Sequence, residues 1–141
     1  MRYTENFRLK KPEQTDSYNI EDFNENADIL DRLLTPEIIS EDFISGSSGY
    51  MDTTHVNVIK QGKIISGNMK IHINADGAGD EECYLTINEK YRASQSITCP
   101  LLYSSINSLA DYVTIDGDRI DYGETNSTKG SAFISFCYIC E

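Results

Sequence analysis

The chain has 141 residues and a mass of 15.9 kDa, the size of one ordinary domain or two small ones, which argues against a multidomain enzyme. Its 12 basic and 23 acidic residues give a formal charge of −11, which disfavours binding to nucleic-acid phosphates and to anionic membranes. The charged start lacks the apolar run of a signal peptide, and no stretch has the roughly 18 apolar residues that a membrane span needs, so we expect neither general secretion nor membrane insertion.

The composition changes near residue 50. Before this point the chain is charged, rich in Asn, Asp and Glu and poor in Gly; after it come Thr, Ile, Val and Tyr, with Gly-bearing turns at short intervals. A run of small residues, Ser-Gly-Ser-Ser-Gly, lies at the change and has the composition of a flexible linker. We therefore predict an N-terminal arm and helical docking segment over residues 1–44, a Gly/Ser linker over 45–49 and a β-rich domain over 50–141.

The N-terminal segment predicts an arm followed by a helix. Residues 3–16 are polar and contain Pro12, which is typical of an extended arm that a partner orders. The helix is predicted to start after Asn19, a good N-cap, and to end before Pro36, because proline disfavours a helical conformation at the residue before it. A second short helix is predicted over residues 36–43.

Apolar residues of the first helix recur in steps of three and four, which is the a/d spacing of a coiled coil. They are Ile20, Phe23, Ala27, Leu30 and Leu34. Two heptads are too few for an independent coiled coil, so the helix either packs on the β-rich domain or associates with copies of itself beside another support. These five residues are the predicted oligomerisation residues.

The C-terminal part predicts short strands separated by turns. Alternating apolar residues such as Met69, Ile71 and Ile73 indicate a sheet with one buried face and one solvent-exposed face. Seven such segments in about ninety residues, with no helix long enough for a βαβ unit, favour an antiparallel β-sandwich of the jelly-roll kind, and hence an α+β chain. The strands are expected over residues 55–61, 63–74, 83–87, 96–103, 112–116, 119–122 and 131–140.

Catalytic and metal-binding patterns are weak in this sequence. The two histidines, His55 and His72, have no neighbouring nucleophile motif, and His72 is predicted to be a solvated strand residue on the face opposite the apolar one. Cys137 and Cys140 have the C-x-x-C spacing, but no second Cys pair or His pair accompanies them, so small residues of a buried strand are favoured over zinc ligands. We predict no catalytic residue, no metal and no cofactor.

Recognition is chemically easier to support than catalysis. Nine tyrosines and no tryptophan, with Asn, Ser and Thr in the predicted loops, supply rings and short polar groups that are used to bind sugars or proteins. Tyr138 alternates with Phe136 and is expected to face the interior or a partner. Tyr103, Asn107 and Asp111 fall in a loop between predicted strands and are the candidate receptor-binding residues.

The N-terminal segment also carries the most specific motif. Residues 3–12 read YTENFRLKKP and residues 16–28 fit D-x-Y-N-x-x-D-F-N-x-N-A-D; together they resemble the N-terminal docking segment of tail-fibre and baseplate proteins from phages and prophages of Gram-positive bacteria. The resemblance implies that this segment fixes the protein to a tail tip or baseplate. The residues that would dock are Phe7, Leu9, Pro12, Asp16, Tyr18, Phe23, Asn24 and Asn26.

The C-terminal part is similar, more loosely, to the β-rich head domains of such fibres. The segments VIKQGKI at residues 58–64, INEKYRAS at 87–94 and YVTIDGDRI at 112–120 carry this resemblance. It implies a homotrimeric head that binds saccharides on a host envelope. The expected partners are two further copies of the chain, baseplate or tail-tip proteins, and a host surface glycan or protein.

The expected function is that of a non-enzymatic short tail fibre or receptor-binding protein of a phage, a phage-tail-like bacteriocin or a contractile injection system. It would lie at the distal tail of the particle after synthesis in the bacterial cytoplasm without a signal peptide. Weak contacts repeated over several heads would add up to firm attachment. Two alternatives stay open: a structural baseplate or tail adaptor that binds no receptor, and a small glycan depolymerase.

Overall fold

The structure is a computed structural model that describes residues 2–5, 7–13, 17, 19–74, 83–102, 112–122 and 129–141. The chain divides into two compact units, Met1–Pro36 and Glu37–Glu141. The boundary between them thus follows the helix directly. The predicted linker, residues 45–49, falls inside the second unit, where most of it belongs to a strand.

The first unit starts with a small hairpin. Strands β1 (Arg2–Tyr3) and β2 (Lys10–Lys11) pair antiparallel, so the predicted arm contains local structure of its own. The turn is held at Thr4, whose N–H donates to the Leu9 carbonyl at 2.8 Å and whose hydroxyl accepts from the Leu9 N–H at 2.9 Å.

The helix of the first unit, α1, covers Ile20–Leu34, as the sequence predicts. At its start the Asn19 side chain accepts a hydrogen bond from the Glu21 N–H at 2.9 Å, which satisfies a backbone donor that has no partner within the helix. At its end Thr35 donates both its N–H and its hydroxyl to the Asp31 carbonyl, and Pro36 follows. Among the described residues there is no helix with the length and apolar character needed to cross a membrane.

The second unit is almost entirely antiparallel β-sheet, which with α1 makes the chain α+β. All seven predicted strands are present, each within a few residues of its expected bounds, and two more precede them. The strands are β3 (Glu37–Ile38), β4 (Ile44–Ser47), β5 (Met51–Gln61), β6 (Ile64–Asn74), β7 (Tyr84–Ile87), β8 (Ile97–Leu102), β9 (Tyr112–Asp116), β10 (Arg119–Asp121) and β11 (Lys129–Ile139), with a 3₁₀ turn at Glu89–Tyr91. The second helix predicted over residues 36–43 is wrong, since β3 and a turn occupy this segment.

The order of the strands makes the sheet curl. In the described part of the chain it is β3-β5-β6-β11-β8-β9-β10-β7-β4, with every neighbouring pair antiparallel. The two outermost strands, β3 and β4, are consecutive in the sequence. Because Ile38 and Ile44 are six residues apart, the two edges of the sheet lie within about 21 Å of each other. A flat sheet of nine strands would be far wider than this, at a spacing of about 4.8 Å per strand.

The core fills the inside of this curled sheet. The Phe43 ring stacks on Phe136 at 5.4 Å and on Tyr91 at 6.2 Å between centroids, and the Tyr138 hydroxyl donates to the Tyr91 carbonyl at 2.6 Å. Phe136 and Tyr138 are both buried, which confirms that they face the interior. The largest fully buried side chains are those of Phe43, Met51, Val58, Ile65, Met69, Ile71, Leu85, Ile87, Val113, Ile115, Ile120 and Ile134.

Strand β5 is irregular where it passes Gly67 of β6. The pairing of β5 with β6 shifts register between Thr54 and Asn57, which is the mark of a β-bulge, and His55 within it has a φ of +52°. Beside the bulge the backbone of β5 approaches Gly67 so closely that a Cβ there would lie 2.8 Å from the Cα of Val58. A glycine is therefore required at this position.

Candidate functional site

The first unit brings its hairpin and helix together through the side chain of Asn26. Its Oδ1 accepts the Lys10 N–H at 2.6 Å, and its Nδ2 donates to the Lys10 carbonyl at 2.8 Å. The amide thus pairs with the backbone of β2 in the way that a neighbouring strand would. This arrangement fixes one face of α1 against the arm.

The side chain of Lys10 adds ionic contacts to these hydrogen bonds, and we call the two kinds of contact together the clamp. Its ammonium lies 2.6 Å from the Asp22 carboxylate and 2.6 Å from the Glu25 carboxylate. The hydrogen bond to Asp22, followed by the one to Glu25, raises the pKa of Lys10 above its ordinary value. Lys10 therefore carries its charge at every physiological pH, and the clamp persists across that range.

A shallow pocket opens beside the clamp, between β2 and the first turns of α1. Three of the predicted docking residues, Pro12, Phe23 and Asn26, meet there. The pocket is lined by Lys10, Pro12, Ser17, Asn19, Asp22, Phe23 and Asn26.

The remaining predicted docking residues are distributed more widely. Phe7 and Asn24 are exposed, while Leu9 is half-buried and holds the turn of the hairpin. Asp16 and Tyr18 lie outside the described residues. The sequence motif therefore contains two kinds of residue: some that build the unit, such as Asn26, and others that are free to meet a partner, such as Phe7.

The predicted oligomerisation residues form an exposed stripe on α1. Ala27 is exposed, and the four larger side chains of the stripe are between 38% and 62% exposed. No residue of α1 is buried, and the arm contacts the helix through Asp22, Glu25 and Asn26, which are not stripe residues. In the described part of the unit the stripe is therefore largely exposed, and its residue Phe23 lines the pocket beside Lys10 and Pro12.

In the second unit, the predicted receptor-binding residues Tyr103, Asn107 and Asp111 lie outside the described residues. The structure does describe the residues on either side of this segment. Leu102, the last residue of β8, and Tyr112, the first of β9, are both exposed.

Both histidines belong to one hydrogen-bonded chain of side chains, which the sequence did not predict. His72 Nδ1 lies 2.6 Å from the Ser131 hydroxyl, His72 Nε2 lies 3.0 Å from the Thr54 hydroxyl, and His55 Nδ1 lies 3.2 Å from that same Thr54 hydroxyl. His72 does point away from the buried face, as predicted, but each of its two ring nitrogens takes part in a hydrogen bond. The bulge in β5 brings His55 into this series of hydrogen-bonded side chains. No local pattern in the sequence predicts a bulge.

A second polar cluster holds the turn between β3 and β4. The Asp42 carboxylate accepts hydrogen bonds from Lys90 Nζ at 3.0 Å, from Asn88 Nδ2 at 3.1 Å and from the Tyr91 hydroxyl at 3.2 Å. The hydrogen bond from Lys90 is the main cause that holds the pKa of Asp42 below its usual range. All the donors come from the 3₁₀ turn and the residue before it, so the cluster ties one edge of the sheet to the far end of β7.

The cysteines are free thiols in different surroundings. Cys83, Cys99 and Cys140 are buried, and burial raises the pKa of the Cys99 thiol to about 11. Cys137 is exposed on the outward face of β11, which corrects the prediction that it is a core residue. Cys137 and Cys140 thus point to opposite faces of the sheet. The described residues include no group of three or more His, Cys, Asp or Glu side chains placed to hold a metal ion.

Comparison of the chain with protein-family models, with curated proteins and with solved structures gives no match in any of the three. What the chain does must be inferred from the contacts above and from the motif resemblance of residues 3–28.

Proposed function

We propose that this chain is a short tail fibre or receptor-binding protein of a phage or a phage-tail-like particle. Its N-terminal unit attaches to the baseplate or tail tip, and its β unit is a sandwich-like, jelly-roll-type head that binds a glycan or protein on the host surface. Three copies assemble, so that three heads are presented side by side and weak contacts combine into firm attachment. The protein has no catalytic role.

The observation that carries this proposal is the exposed apolar stripe of α1. A helix of 15 residues is marginal in water on its own, and its stability in proteins comes from covering an apolar face. The arm occupies another face of α1 through polar contacts. The stripe therefore needs a partner from outside its unit, and its steps of three and four match the seam of a parallel coiled coil.

The β unit supports the proposal in a different way. Every buried apolar residue that the structure describes belongs to it, so it has a complete core of its own. A domain of this kind can serve as a head while the preceding segment is committed to assembly. The motif resemblance of residues 3–28 supplies the identity of the particle to which that segment would attach.

The assembly step is tested by the mass in solution of the full chain, measured by light scattering at several concentrations. We expect about three times the 15.9 kDa of one chain. Leu30→Glu places a charge in the stripe and should reduce the mass to that of a monomer. Asn24→Glu, which adds the same charge at an exposed position off the stripe, should leave the trimer intact. A wild-type chain that stays monomeric at every concentration would contradict the proposed trimer.

The attachment step is tested on whole particles that carry altered chains. Substitution of Tyr103, Asn107 and Asp111 by alanine should abolish adsorption to the host and leave the particles intact. If any change in the β unit instead prevents assembly of the particle, the chain is a structural adaptor. If purified chain releases reducing sugars from host envelopes, it is a depolymerase.

A further inference from the structure

The outward face of β5, β6 and β11 is rich in uncharged polar side chains. Cross-strand neighbours form three successive rows at one end of this face, and each row crosses the three strands. The first row holds Asp52, His72 and Ser131, the second Thr54, Lys70 and Phe133, and the third Asn57, Asn68 and Ser135. One carboxylate and one ammonium cancel each other, so this surface, which we call the polar face, is neutral in a chain of net charge −11.

Three side chains of the first two rows, His72, Ser131 and Thr54, are hydrogen-bonded to one another before any ligand arrives. The chain of hydrogen bonds from Ser131 through His72 and Thr54 to His55 crosses all three strands. The positive φ of His55, at +52°, is an uncommon conformation for a residue other than glycine, and such backbone is found where a bulge redirects a side chain. The face therefore offers fixed donors and acceptors, which lowers the entropy lost when a ligand binds.

An apolar surface adjoins the polar rows. It consists of Phe133, Leu102, Pro100 and Tyr112, and we call it the ledge. Phe133 is 36% exposed and lies directly opposite Leu102 of β8, which is also exposed. Two residues earlier on β8, Pro100 pairs with Tyr112, whose ring is exposed as well. The ledge and the polar face share Phe133, whose ring has the Lys70 ammonium 5.8 Å from its centroid, so one surface combines aromatic rings with hydrogen-bonding groups whose formal charges sum to zero.

We infer that the polar face and its ledge bind a neutral saccharide chain. Sugar rings present C–H groups that pack on aromatic rings and hydroxyl groups that need both donors and acceptors, and this surface supplies each of these. A nucleic acid or another polyanion would require clustered cations, which the face lacks. A protein partner would favour a more apolar centre than three rows in which Phe133 is the single apolar residue. The inference rests on the proposed role of the β unit in receptor binding and assigns that role a location.

The test titrates the full chain with a panel of neutral hexose and N-acetylhexosamine oligosaccharides, with the imidazole NMR signals of His72 as the readout. Binding should shift those signals. Phe133→Ser should weaken binding by about tenfold, because it removes the shared aromatic ring. Phe133→Tyr keeps the ring and should bind as the wild type does. The matched control is Ile139→Ser, an exposed residue at the opposite end of β11.

The outcomes separate this inference from the proposed function. Saccharide binding that Phe133→Ser does not weaken, or that Ile139→Ser weakens equally, overturns the location. If no oligosaccharide of the panel shifts the His72 signals, the inference is overturned, and the trimer and adsorption experiments still decide the proposed function. A normal melting temperature for Phe133→Ser shows that its effect does not come from unfolding.

Discussion

Each of the two units of this chain is stabilised internally by a different kind of contact. All the buried apolar residues that the structure describes lie in the β unit, where strands far apart in sequence enclose aromatic and aliphatic side chains. The hairpin and α1 of the N-terminal unit meet instead through polar groups, namely Lys10 with Asp22, Glu25 and Asn26.

This difference indicates how each unit obtains its stability. Burial of apolar surface is the main favourable term in folding, so the β unit has the means to fold alone. Exposed and half-exposed ion pairs contribute little, and the large side chains of the α1 stripe are exposed. The described contacts therefore give the N-terminal unit less stability of its own than the β unit has, and under the proposed function assembly would supply more. Four substitutions test this contrast, in order of decreasing effect.

The largest effect is expected from Phe43→Ala. Phe43 is fully buried and stacks on both Tyr91 and Phe136, so its loss leaves a cavity beside the segment that joins the two edge strands, β3 and β4. We expect a loss of about 3–5 kcal/mol in the free energy of unfolding, measured with urea. Phe7→Ala is the same change at an exposed site of the N-terminal unit that does not belong to the stripe, and it should leave that free energy unchanged. Equal losses for both variants would remove the distinction between the units.

The next effect is expected from Gly67→Ala. The new Cβ would meet the backbone of β5 at Asn57 and Val58, which cannot move without disturbing the sheet. We expect a loss of about 1–3 kcal/mol in unfolding free energy. Gly46→Ala is the control in the same unit, because its Cβ would meet only the Thr86 side chain at 3.8 Å. A Gly67→Ala variant as stable as Gly46→Ala would show that β5 does not approach β6 so closely.

A smaller, pH-dependent effect is expected from Asp42→Asn. Since the pKa of Asp42 is lowered in the folded chain, its contribution to stability is present above the ordinary carboxyl pKa of about 4 and is lost as the pH falls through the folded value. The wild type should therefore have the higher melting temperature at pH 7, and the difference should shrink as the pH falls below about 4 toward pH 2. A difference that stays constant between these two pH values would exclude the ionised form of Asp42 as its cause.

The smallest effect on global stability is expected from Asn26→Ala. This change removes both hydrogen bonds to the Lys10 backbone, worth about 1 kcal/mol each, and should speed hydrogen exchange of the Lys10 amide. The urea midpoint of the β unit should not change. Asn24→Ala, at an exposed position of the same helix, is the control and should leave the exchange rate as it was. Unchanged exchange in Asn26→Ala would mean that the clamp does not protect the arm.

Structure that depends on local patterns could be predicted from the sequence. Helix α1 has a cap at Asn19, a regular apolar spacing and a proline after its end, and the seven predicted strands alternate or are bounded by turn residues. These signals act over a few neighbouring residues. Their physical causes are equally local, which is why the expected bounds were close to the observed ones.

Structure that depends on distant partners could not be predicted. Strand β3 has only two residues, and it is a strand because Glu37 and Ile38 pair with Lys60 and Ile59 of β5. The spacing of the apolar residues in that segment suggested a helix instead. The same limit applies to the sites, since the contact of Asn26 with Lys10 and that of His72 with Ser131 each join residues far apart in the sequence.

The position of β11 has a consequence for the order of events during synthesis. This strand comes last in the described chain yet lies inside the sheet, with β6 on one side and β8 on the other. Until residues 129–139 leave the ribosome, β6 and β8 each present an unpaired edge of the kind that promotes aggregation. The N-terminal unit is complete long before that moment. Nascent chains that associated through α1 would therefore bring their unfinished sheets together, so correct folding favours a delay of assembly until β11 has paired with β6 and β8.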